Sequence, residues 1–265
     1  MLGVIVGDIV GSAYEFSRFK GKTFTPLFHR NARFTDDTVC TVAVADALIA
    51  ESDPQKTMIR WCTNYAENGG WGRQFALWFL SDNPSPYGSW GNGAAMRIAP
   101  AGLWARSDAE ALQLADQFSA ITHNHQEAMQ AAQAVALAIF WGREGRSVIA
   151  IKQQLMAKFP YDLNRTPDEI RPTYVRSERA KESVPEAIVC ALNAVSFEDA
   201  LRNSISLGGD SDTIAAIAGG IAEVIFGIPD DIKNEAMDFL PDDMKSVVFS
   251  FYDQIPNHSL IRLPQ

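Results

Sequence analysis

Two acidic segments, about 175 residues apart, carry the residue types in this sequence that could do chemistry. They are Thr35-Asp36-Asp37-Thr38 and Gly208-Gly209-Asp210-Ser211-Asp212-Thr213. Each precedes an alanine-rich stretch that is expected to form a buried helix. Either segment alone is explained by a helix cap and by aspartates that complement the helix dipole. If the two buried helices pack together, however, four carboxylates meet in one place.

A fifth acid is placed to join them. Four residues are spaced four apart in the predicted first helix, residues 3 to 15, and therefore share one face: Gly3, Gly7, Gly11 and Glu15. The glycines indicate close approach of a backbone or a ligand, and a tight helix crossing with Glu15 in solvent is the alternative. Five clustered acids would carry a charge near −5, which is costly to bury unless cations or protons offset it. Because oxygen ligands select hard ions, we predict a binuclear site for two divalent cations, Mg²⁺ or Mn²⁺.

The glycine-rich segment 87–97 is a candidate phosphate-binding loop. Its glycines can expose backbone N–H groups, and Asn92 and Arg97 supply polar groups beside a tryptophan. An ordinary connection between helices is the alternative. Further along, His123 and His125 stand at i, i+2, where their side chains diverge, so no zinc site is predicted and His123 is free to face a ligand.

The elements that must position these residues are helices. Periodic segments and helix caps agree over most of the chain, and alternating β-branched runs are almost absent. Helix starts are predicted at Asp53-Pro54, at Ser107 with Glu110, at Asn124 with Glu127, at Ser183-Pro185-Glu186, at Pro229-Asp230-Asp231 and at Pro241-Asp242-Asp243. Residues 81 to 93 are predicted to be a loop and residues 160 to 186 a surface excursion. We predict an all-α fold, a single compact orthogonal bundle of about ten or more helices, with residues 1–265 as one domain around a central binuclear metal site.

Charge and composition limit the partners. The 265 residues include 23 basic and 32 acidic residues, a net charge of −9, which disfavours stable binding of nucleic acid or of an anionic membrane. The N-terminal segment carries Asp8 within its apolar stretch and is not typical of a signal peptide, and no stretch is long and apolar enough to span a membrane. Three cysteines without a CxxC pair fit a reducing compartment. We expect a cytoplasmic monomer.

Five motifs, in order over most of the chain, resemble those of the ADP-ribosylglycohydrolase family. They are residues 7–15 (Gly-Asp-Ile-Val-Gly-Ser-Ala-Tyr-Glu), 34–38 (Phe-Thr-Asp-Asp-Thr), 91–97 (Gly-Asn-Gly-Ala-Ala-Met-Arg), Thr122-His123, and 208–216 (Gly-Gly-Asp-Ser-Asp-Thr-Ile-Ala-Ala). The resemblance implies an all-α fold with a two-metal centre, and hydrolysis of the glycosidic bond between the distal ribose of ADP-ribose and an acceptor. The implied partner is an ADP-ribosylated protein, with arginine the first choice of acceptor, or a small-molecule or nucleobase conjugate of ADP-ribose.

The resemblance also implies roles for individual residues. The first ion would be held by Thr35, Asp36 and Asp37, the second by Asp210 and Thr213, and both by Asp212. The loop residues Ser89, Gly91, Asn92 and Gly93 match a loop around the diphosphate and the distal ribose, His123 matches a substrate-contacting histidine, and Glu15 matches an acid at the metal edge. The ions would orient the ribose hydroxyls and make a water nucleophile available near neutral pH. Asp36 or Asp37 is then the expected base that activates water, and Glu15 a positioning or acid–base group.

One segment departs from the family pattern. Residues 176–182, Arg-Ser-Glu-Arg-Ala-Lys-Glu, stand where many bacterial relatives have a segment like Phe-Asp-Val-Ser-Cys-Gln-Gly. The resemblance implies that this segment borders the substrate region, so arginine, serine, O-acetyl and nucleobase linkages all stay open. A non-catalytic ADP-ribose-binding module on the same fold is the main alternative function. A prenyl-diphosphate synthase would need an Asp-Asp-x-x-Asp repeat, whereas the next acid after Asp37 is Asp46. A helical scaffold whose acids merely cap helices is the third alternative.

Overall fold

The computed structural model describes residues 1–255, and these residues form helices without a β-strand. In chain order the fifteen α-helices are α1 (Leu2–Ser12), α2 (Asp36–Ile49), α3 (Pro54–Asn64), α4 (Arg73–Phe79), α5 (Gly93–Met96), α6 (Ala99–Trp104), α7 (Asp108–Ser119), α8 (Gln126–Arg143), α9 (Val148–Lys158), α10 (Pro167–Ile170), α11 (Ala180–Leu192), α12 (Phe197–Ile205), α13 (Ser211–Phe226), α14 (Asp230–Asp238) and α15 (Asp242–Gln254). Within the described range, extended pairing is limited to an isolated antiparallel bridge between Gly91 and Arg179. The predicted all-α class is confirmed.

The antiparallel pair of α1 and α13 lies at the centre of the fold. Both helices are buried along almost their whole length. A Cβ atom added to each glycine of α1 would lie 2.0 to 2.4 Å from a carbonyl oxygen of α13: Gly3 faces Gly219, Gly7 faces Ala215 and Gly11 faces Ser211. The glycine row therefore allows two backbones to touch, and this part of the helix-crossing alternative is confirmed.

The two acidic segments meet because both helices that follow them pack beside α1. α1 contacts α2 as well as α13, so the first turns of α2 and α13 flank the C-terminal end of α1. α13 packs further against α8, α11 and α12, whereas α2 packs against α3, α6 and α15. Alanine, valine and isoleucine side chains from these helices fill most of the core.

Most predicted helix starts are confirmed. Asp53 caps α3 by accepting a hydrogen bond from the Lys56 N–H at 2.8 Å, and Ser107 caps α7 by accepting one from the Glu110 N–H at 3.1 Å. The helices α14 and α15 each begin with two aspartates in the first turn, where the helix dipole favours negative charge.

The predicted cap of α8 is wrong. His125, and not Asn124, is its N-cap, and the His125 side chain accepts from the Glu127 N–H. Asn124 Oδ1 instead accepts a hydrogen bond from the Gly88 N–H at 2.7 Å, and Glu127 forms an ion pair with Arg179. Both side chains of the predicted capping box therefore bond to residues that are distant in the sequence.

Two helix boundaries also differ from the prediction. α1 ends at Ser12, so Glu15 stands in the following turn and not in the helix. α11 begins at Ala180 and contains Pro185, which was predicted to stand at its start. Proline removes the hydrogen bond to the Lys181 carbonyl, and the helix accommodates this loss because Lys181 is exposed in the first turn.

The structure has more helices than periodicity indicates because several are short. α5 and α10 have four residues each, too few to show a hydrophobic period. The segment 160–186 holds α10 and the start of α11, so it is only partly a surface excursion. No helix among residues 1–255 has the length and apolar character needed to cross a membrane. The predicted extent of the single domain, 1–265, stays a prediction, and its last ten residues lie outside the described range.

Candidate active site

A cleft of about 830 Å³ opens where the end of α1 meets the first turns of α2 and α13. The predicted site residues that line it are Glu15, Asp36, Asp37, Ser89, Gly91, Asn92, Gly93, His123, Asp210, Asp212 and Thr213. The two acidic segments are joined directly, because the Thr213 hydroxyl donates to Asp37 Oδ2 at 3.3 Å. The structure therefore brings together nearly every residue that the sequence singled out.

The carboxylates form two overlapping groups. One oxygen each from Asp8, Asp37 and Asp212 lies within 4.8 Å of the others, and the same holds for Glu15, Asp210 and Asp212. Asp212 belongs to both groups and stands in the first turn of α13. Asp36 also faces the cleft, beside Gly70. A Cβ on Gly70 would lie 2.7 Å from Asp36 Oδ1, and the φ of 86° at this position also favours glycine.

Asp8 is a member of this cluster that was missed from the sequence. It is fully buried in α1, and its carboxylate accepts from the backbone N–H and the hydroxyl of both Thr35 and Thr38, at distances from 2.5 to 3.1 Å. Burial raises the pKa of Asp8 to about 6 although these four hydrogen bonds act in the opposite direction. An aspartate within an apolar helix was the available signal, since a buried carboxylate needs partners.

The donor set fits a hard cation. Asp37 Oδ1 is buried, and no group among residues 1–255 forms a hydrogen bond with it. Burial and the neighbouring aspartates raise the pKa values of Asp37 and Asp212 well above the ordinary range. A buried carboxylate oxygen without a donor, in a cluster of carboxylates, is the arrangement that a divalent cation satisfies.

The two threonines predicted as metal ligands occupy different positions. Thr213 lines the cleft, whereas the Thr35 side chain is buried behind it. The Thr35 hydroxyl donates to Asp8 and accepts a long hydrogen bond of 3.4 Å from the Asp37 N–H, which caps α2. In the structure described here, Thr35 therefore orients Asp8 and the first turn of α2.

The positively charged side chain of Arg176 lies at the edge of the acidic cluster, although no basic residue was predicted there. Arg176 Nη2 donates to Glu15 Oε1 at 2.8 Å and to Asp210 Oδ1 at 3.1 Å. Its guanidinium also lies 5.2 Å from the centre of the Phe16 ring and bonds Glu178. The acidic motifs themselves contain no basic residue, and the compensating charge of Arg176 comes from a different segment that folds back over the cleft. The resemblance implied that residues 176–182 border the substrate region, and Arg176 does line the cleft, although its bonds to Glu15 and Asp210 were not predicted.

Asn92 holds Asp210 from the opposite side. Its amide nitrogen donates to Asp210 Oδ2 at 2.7 Å and lies 3.2 Å from the Ser183 hydroxyl. Burial raises the pKa of Asp210 to about 6, and the hydrogen bond from Asn92 and the charge of Arg176 limit that rise. Asn92 thus orients a candidate metal ligand, in addition to its predicted contact with substrate.

The glycine-rich loop offers fewer free N–H groups than predicted. The Gly91 N–H donates to the Ser89 hydroxyl at 3.2 Å, and the Asn92 N–H donates to the Glu178 carbonyl at 2.8 Å. Glycine is still required for close packing, because a Cβ on Gly93 would lie 2.9 Å from His123 Nε2. The loop therefore packs tightly around His123 at the cleft wall.

Aromatic side chains complete the cleft, and three of them, Phe16, Trp71 and Phe75, were missed from the sequence. Trp71 and Phe75 line it together with Phe16, Tyr87 and Trp90. Trp71 and Phe75 stack with their ring centres 5.9 Å apart. The cleft therefore combines a carboxylate end with an aromatic wall, an arrangement that suits a ligand with sugar hydroxyls and flat apolar parts.

Comparison with known proteins agrees with this arrangement. The ADP-ribosylhydrolase ARH3 of Danio rerio is 27% identical to the chain, with 86% of this chain and 82% of ARH3 covered. The ADP-ribosylarginine hydrolase Tri1 of Pseudomonas putida (strain GB-1) is 24% identical, with 86% and 70% covered. The ADP-ribosyl-[dinitrogen reductase] glycohydrolase of Rhodospirillum rubrum is 26% identical, with 86% and 85% covered.

A solved structure described as an ADP-ribosylglycohydrolase-related protein complex has the same fold. It superposes with a TM-score of 0.70 at 21% identity and covers 95% of both chains. The family model for ADP-ribosylglycohydrolase matches residues 1–258, which is nearly the whole sequence. The fold, the carboxylate cleft and this match lead to one conclusion: the chain belongs to the ADP-ribosylglycohydrolase family.

Proposed function

We propose that the protein hydrolyses the glycosidic bond between the distal ribose of ADP-ribose and an acceptor, with two divalent cations, Mg²⁺ or Mn²⁺, as cofactors. The observation that carries this proposal is the pair of carboxylate groups that share Asp212. A single acidic cap would explain neither the shared residue nor the unpartnered Asp37 oxygen. Both features support two adjacent cation positions.

The residues proposed to hold the cations come from three elements. They are Asp36 and Asp37 at the start of α2, Asp210, Asp212 and Thr213 at the start of α13, and Asp8 in α1 with Glu15 in the turn after it; Thr35, behind the cleft, supports Asp8. When bound, two divalent cations would neutralise the carboxylates, orient the ribose hydroxyls and acidify a water nucleophile. Six carboxylates and the Arg176 guanidinium leave a net charge near −5, which two such cations nearly cancel.

The side chains are proposed to act on the reacting sugar in two ways. The ionised carboxylate of Asp36 or Asp37 accepts a proton from the attacking water. Neighbouring carboxylates stabilise the positive charge that develops at the anomeric carbon in an oxocarbenium-like transition state. Glu15, which Arg176 holds at 2.8 Å, is proposed as a positioning or acid–base group beside the leaving acceptor.

The rest of the cleft is proposed to hold the ADP-ribose moiety. Ser89, Gly91, Asn92 and Gly93 line one wall, and His123 also lines the cleft, packed against Gly93. We propose arginine as the first acceptor to test, because Tri1 is named an ADP-ribosylarginine hydrolase. The segment around Arg176 differs from the family pattern, so serine and nucleobase linkages are tested beside arginine.

The decisive experiment measures release of free ADP-ribose from arginine-, serine- and nucleobase-linked substrates, with Mg²⁺, with Mn²⁺ and with a chelator. We expect release that requires the divalent cation. Asp212→Asn should lower the rate by about 10² to 10³ and abolish binding of Mn²⁺. Asp253→Asn is the matched control, because Asp253 is exposed on α15 and does not line the cleft.

Two outcomes would overturn the proposal. Unchanged release by Asp212→Asn would exclude the cation role of that residue. Tight binding of ADP-ribose without release from any of the substrates would favour a binding module on the same fold.

A further inference from the structure

We propose that Arg97, acting through Thr122, holds His123 in the neutral form that carries its proton on Nε2, so that His123 donates a hydrogen bond to a phosphate oxygen of the ligand. In this role His123 is a fixed donor and does not transfer protons. Arg97 and Thr122 are positioning residues that do not touch the ligand. The identity of the acceptor rests on the proposed function, whereas the state of the ring rests on the hydrogen bonds alone.

Arg97 begins the chain of hydrogen bonds. It follows α5, its side chain is almost completely buried, and its guanidinium lies 5.5 Å from the centre of the Phe75 ring. Nη2 donates to the Phe118 carbonyl at 3.2 Å and to the Thr122 hydroxyl at 2.8 Å. A guanidinium has donors and no acceptor, so the Thr122 oxygen must accept in this contact.

The direction of the next hydrogen bond follows. Thr122 is fully buried, and its hydroxyl oxygen lies 2.7 Å from His123 Nδ1. Within residues 1–255, Nδ1 is the acceptor within reach of the hydroxyl proton. If Nδ1 carried a proton itself, the hydroxyl proton would be buried without an acceptor, which costs about 1 to 3 kcal/mol. Nδ1 therefore accepts, and the ring proton is on Nε2.

The surroundings keep the ring neutral. His123 is 5% exposed, and burial together with the nearby charge of Arg97 lowers its pKa well below the ordinary value. The neighbouring titratable group is Tyr87, whose ring centre lies 6.1 Å away and whose pKa burial raises to about 12, so it is neutral as well. A doubly protonated ring would also place an N–H against the Thr122 hydroxyl.

The donor faces the glycine-rich wall of the cleft. Nε2 would lie 2.9 Å from a Cβ on Gly93 and 3.8 Å from one on Gly91, and among the described residues no acceptor is bonded to it. His123 lines the cleft, so a ligand oxygen can supply that acceptor. The positive charge of Arg97 behind the ring favours an anionic oxygen, which in ADP-ribose is a phosphate oxygen.

Thr122→Val tests the inference because it removes the hydroxyl and keeps the shape of the side chain. Histidine ¹⁵N spectra of the wild-type protein without ligand should show an unprotonated Nδ1 and a protonated Nε2. In Thr122→Val we expect that the ring no longer adopts this one protonation form and that ADP-ribose binds about tenfold more weakly. In the release reaction, KM should rise by more than kcat falls. Thr122→Ser, which keeps the hydroxyl, should restore both the spectrum and the affinity to within about twofold.

The spectra separate this inference from the proposed function. A protonated Nδ1 in the wild type, or unchanged spectra and affinity in Thr122→Val, would overturn the proposed positioning of His123 by Arg97 and Thr122. If the ring form is as expected but ADP-ribose does not bind the wild type, the proposed function fails and the ring assignment stands. His123→Gln, which keeps a donor near the position of Nε2, should bind ADP-ribose more tightly than His123→Leu; equal affinities would overturn the donor role.

Discussion

Arg176 and Glu15 form an ion pair of 2.8 Å at the rim of the acidic cleft. The same guanidinium reaches Asp210, which belongs with Glu15 to one of the two carboxylate groups. A positive side chain therefore occupies the edge of a site that is proposed to bind cations, and it reduces the negative potential there.

Replacing Arg176 with methionine should strengthen binding of Mn²⁺. Removal of one positive charge a few ångströms from a divalent ion in a partly solvated site is expected to raise the affinity by roughly tenfold. Titration calorimetry with Mn²⁺ measures the change. Arg106→Met is the control, since Arg106 is exposed and does not line the cleft. An unchanged or weaker affinity in Arg176→Met would show that the guanidinium orients the ligands more than it repels the ions.

Removing divalent cations should destabilise the folded protein. A cation that binds the folded state at 100 times its Kd contributes about 2.7 kcal/mol, so a chelator should lower the Tm by roughly 5 to 10 °C. Thermal unfolding followed by circular dichroism, with excess Mn²⁺ and with a chelator, gives the difference. Asp212→Asn should melt at the same temperature under both conditions. Equal Tm values for the wild-type protein would contradict the proposed site.

Gly7→Ala should destabilise the protein by about 3 kcal/mol. The new Cβ would lie 2.0 Å from the Ala215 carbonyl oxygen, and the two backbones must separate to admit it. Urea unfolding measures the loss. Gly72→Ala is the matched control, because nothing lies within 4 Å of a Cβ there, and it should change stability by less than about 1 kcal/mol. Similar losses in both variants would argue against the close crossing of α1 and α13.

His123 should contribute a measurable pH dependence to stability. Its pKa is lowered in the folded protein, so below the unfolded value of 6.5 the unfolded chain binds one more proton and stability falls as the pH falls. The loss approaches about 1.4 kcal/mol per pH unit and is absent above pH 7. Urea unfolding between pH 5 and 8 should show a shallower slope in His123→Gln than in the wild type.

A control for this slope is available two residues away. His125 is exposed and caps α8, and His125→Asn keeps a capping side chain while it removes an imidazole. A slope equal to that of the wild type would assign the pH dependence to His123 and not to histidine in general. If His123→Gln also matched the wild type, the ring would be titrating in the folded protein as it does in the unfolded chain, contrary to the neutral form argued above.

Helix caps show where local sequence sufficed and where it did not. Asp53 and Ser107 cap the predicted helices because each side chain bonds an N–H three residues ahead. Asn124 has the same local opportunity, yet its oxygen bonds Gly88, which is 36 residues away. A side chain that can cap a helix can also bond any other donor, and only the folded chain shows which donors are near.

The acidic site likewise contains residues that the local sequence indicated and residues that it did not. Asp36, Asp37, Asp210 and Asp212 were predicted as one cluster because two acidic turns each precede a buried helix. The participation of Asp8 and Arg176 was not predicted, because Asp8 reaches the site through its bonds with Thr35 and Thr38, and Arg176 reaches it through a loop that folds back. Neither contact corresponds to a periodicity or a residue spacing in the sequence.

The sequence by itself determined the helical class, most helix starts and the types of side chain that supply the chemistry, because these depend on neighbours within a few residues. Only the tertiary structure decided which oxygen atoms converge, which carboxylate lacks a donor and which nitrogen of His123 faces the cleft. These properties depend on contacts between segments far apart in the chain, such as Asp37 with Thr213. Packing of α1 between α2 and α13 creates those contacts, and the backbone approach at Gly7 and Gly11 makes that packing possible.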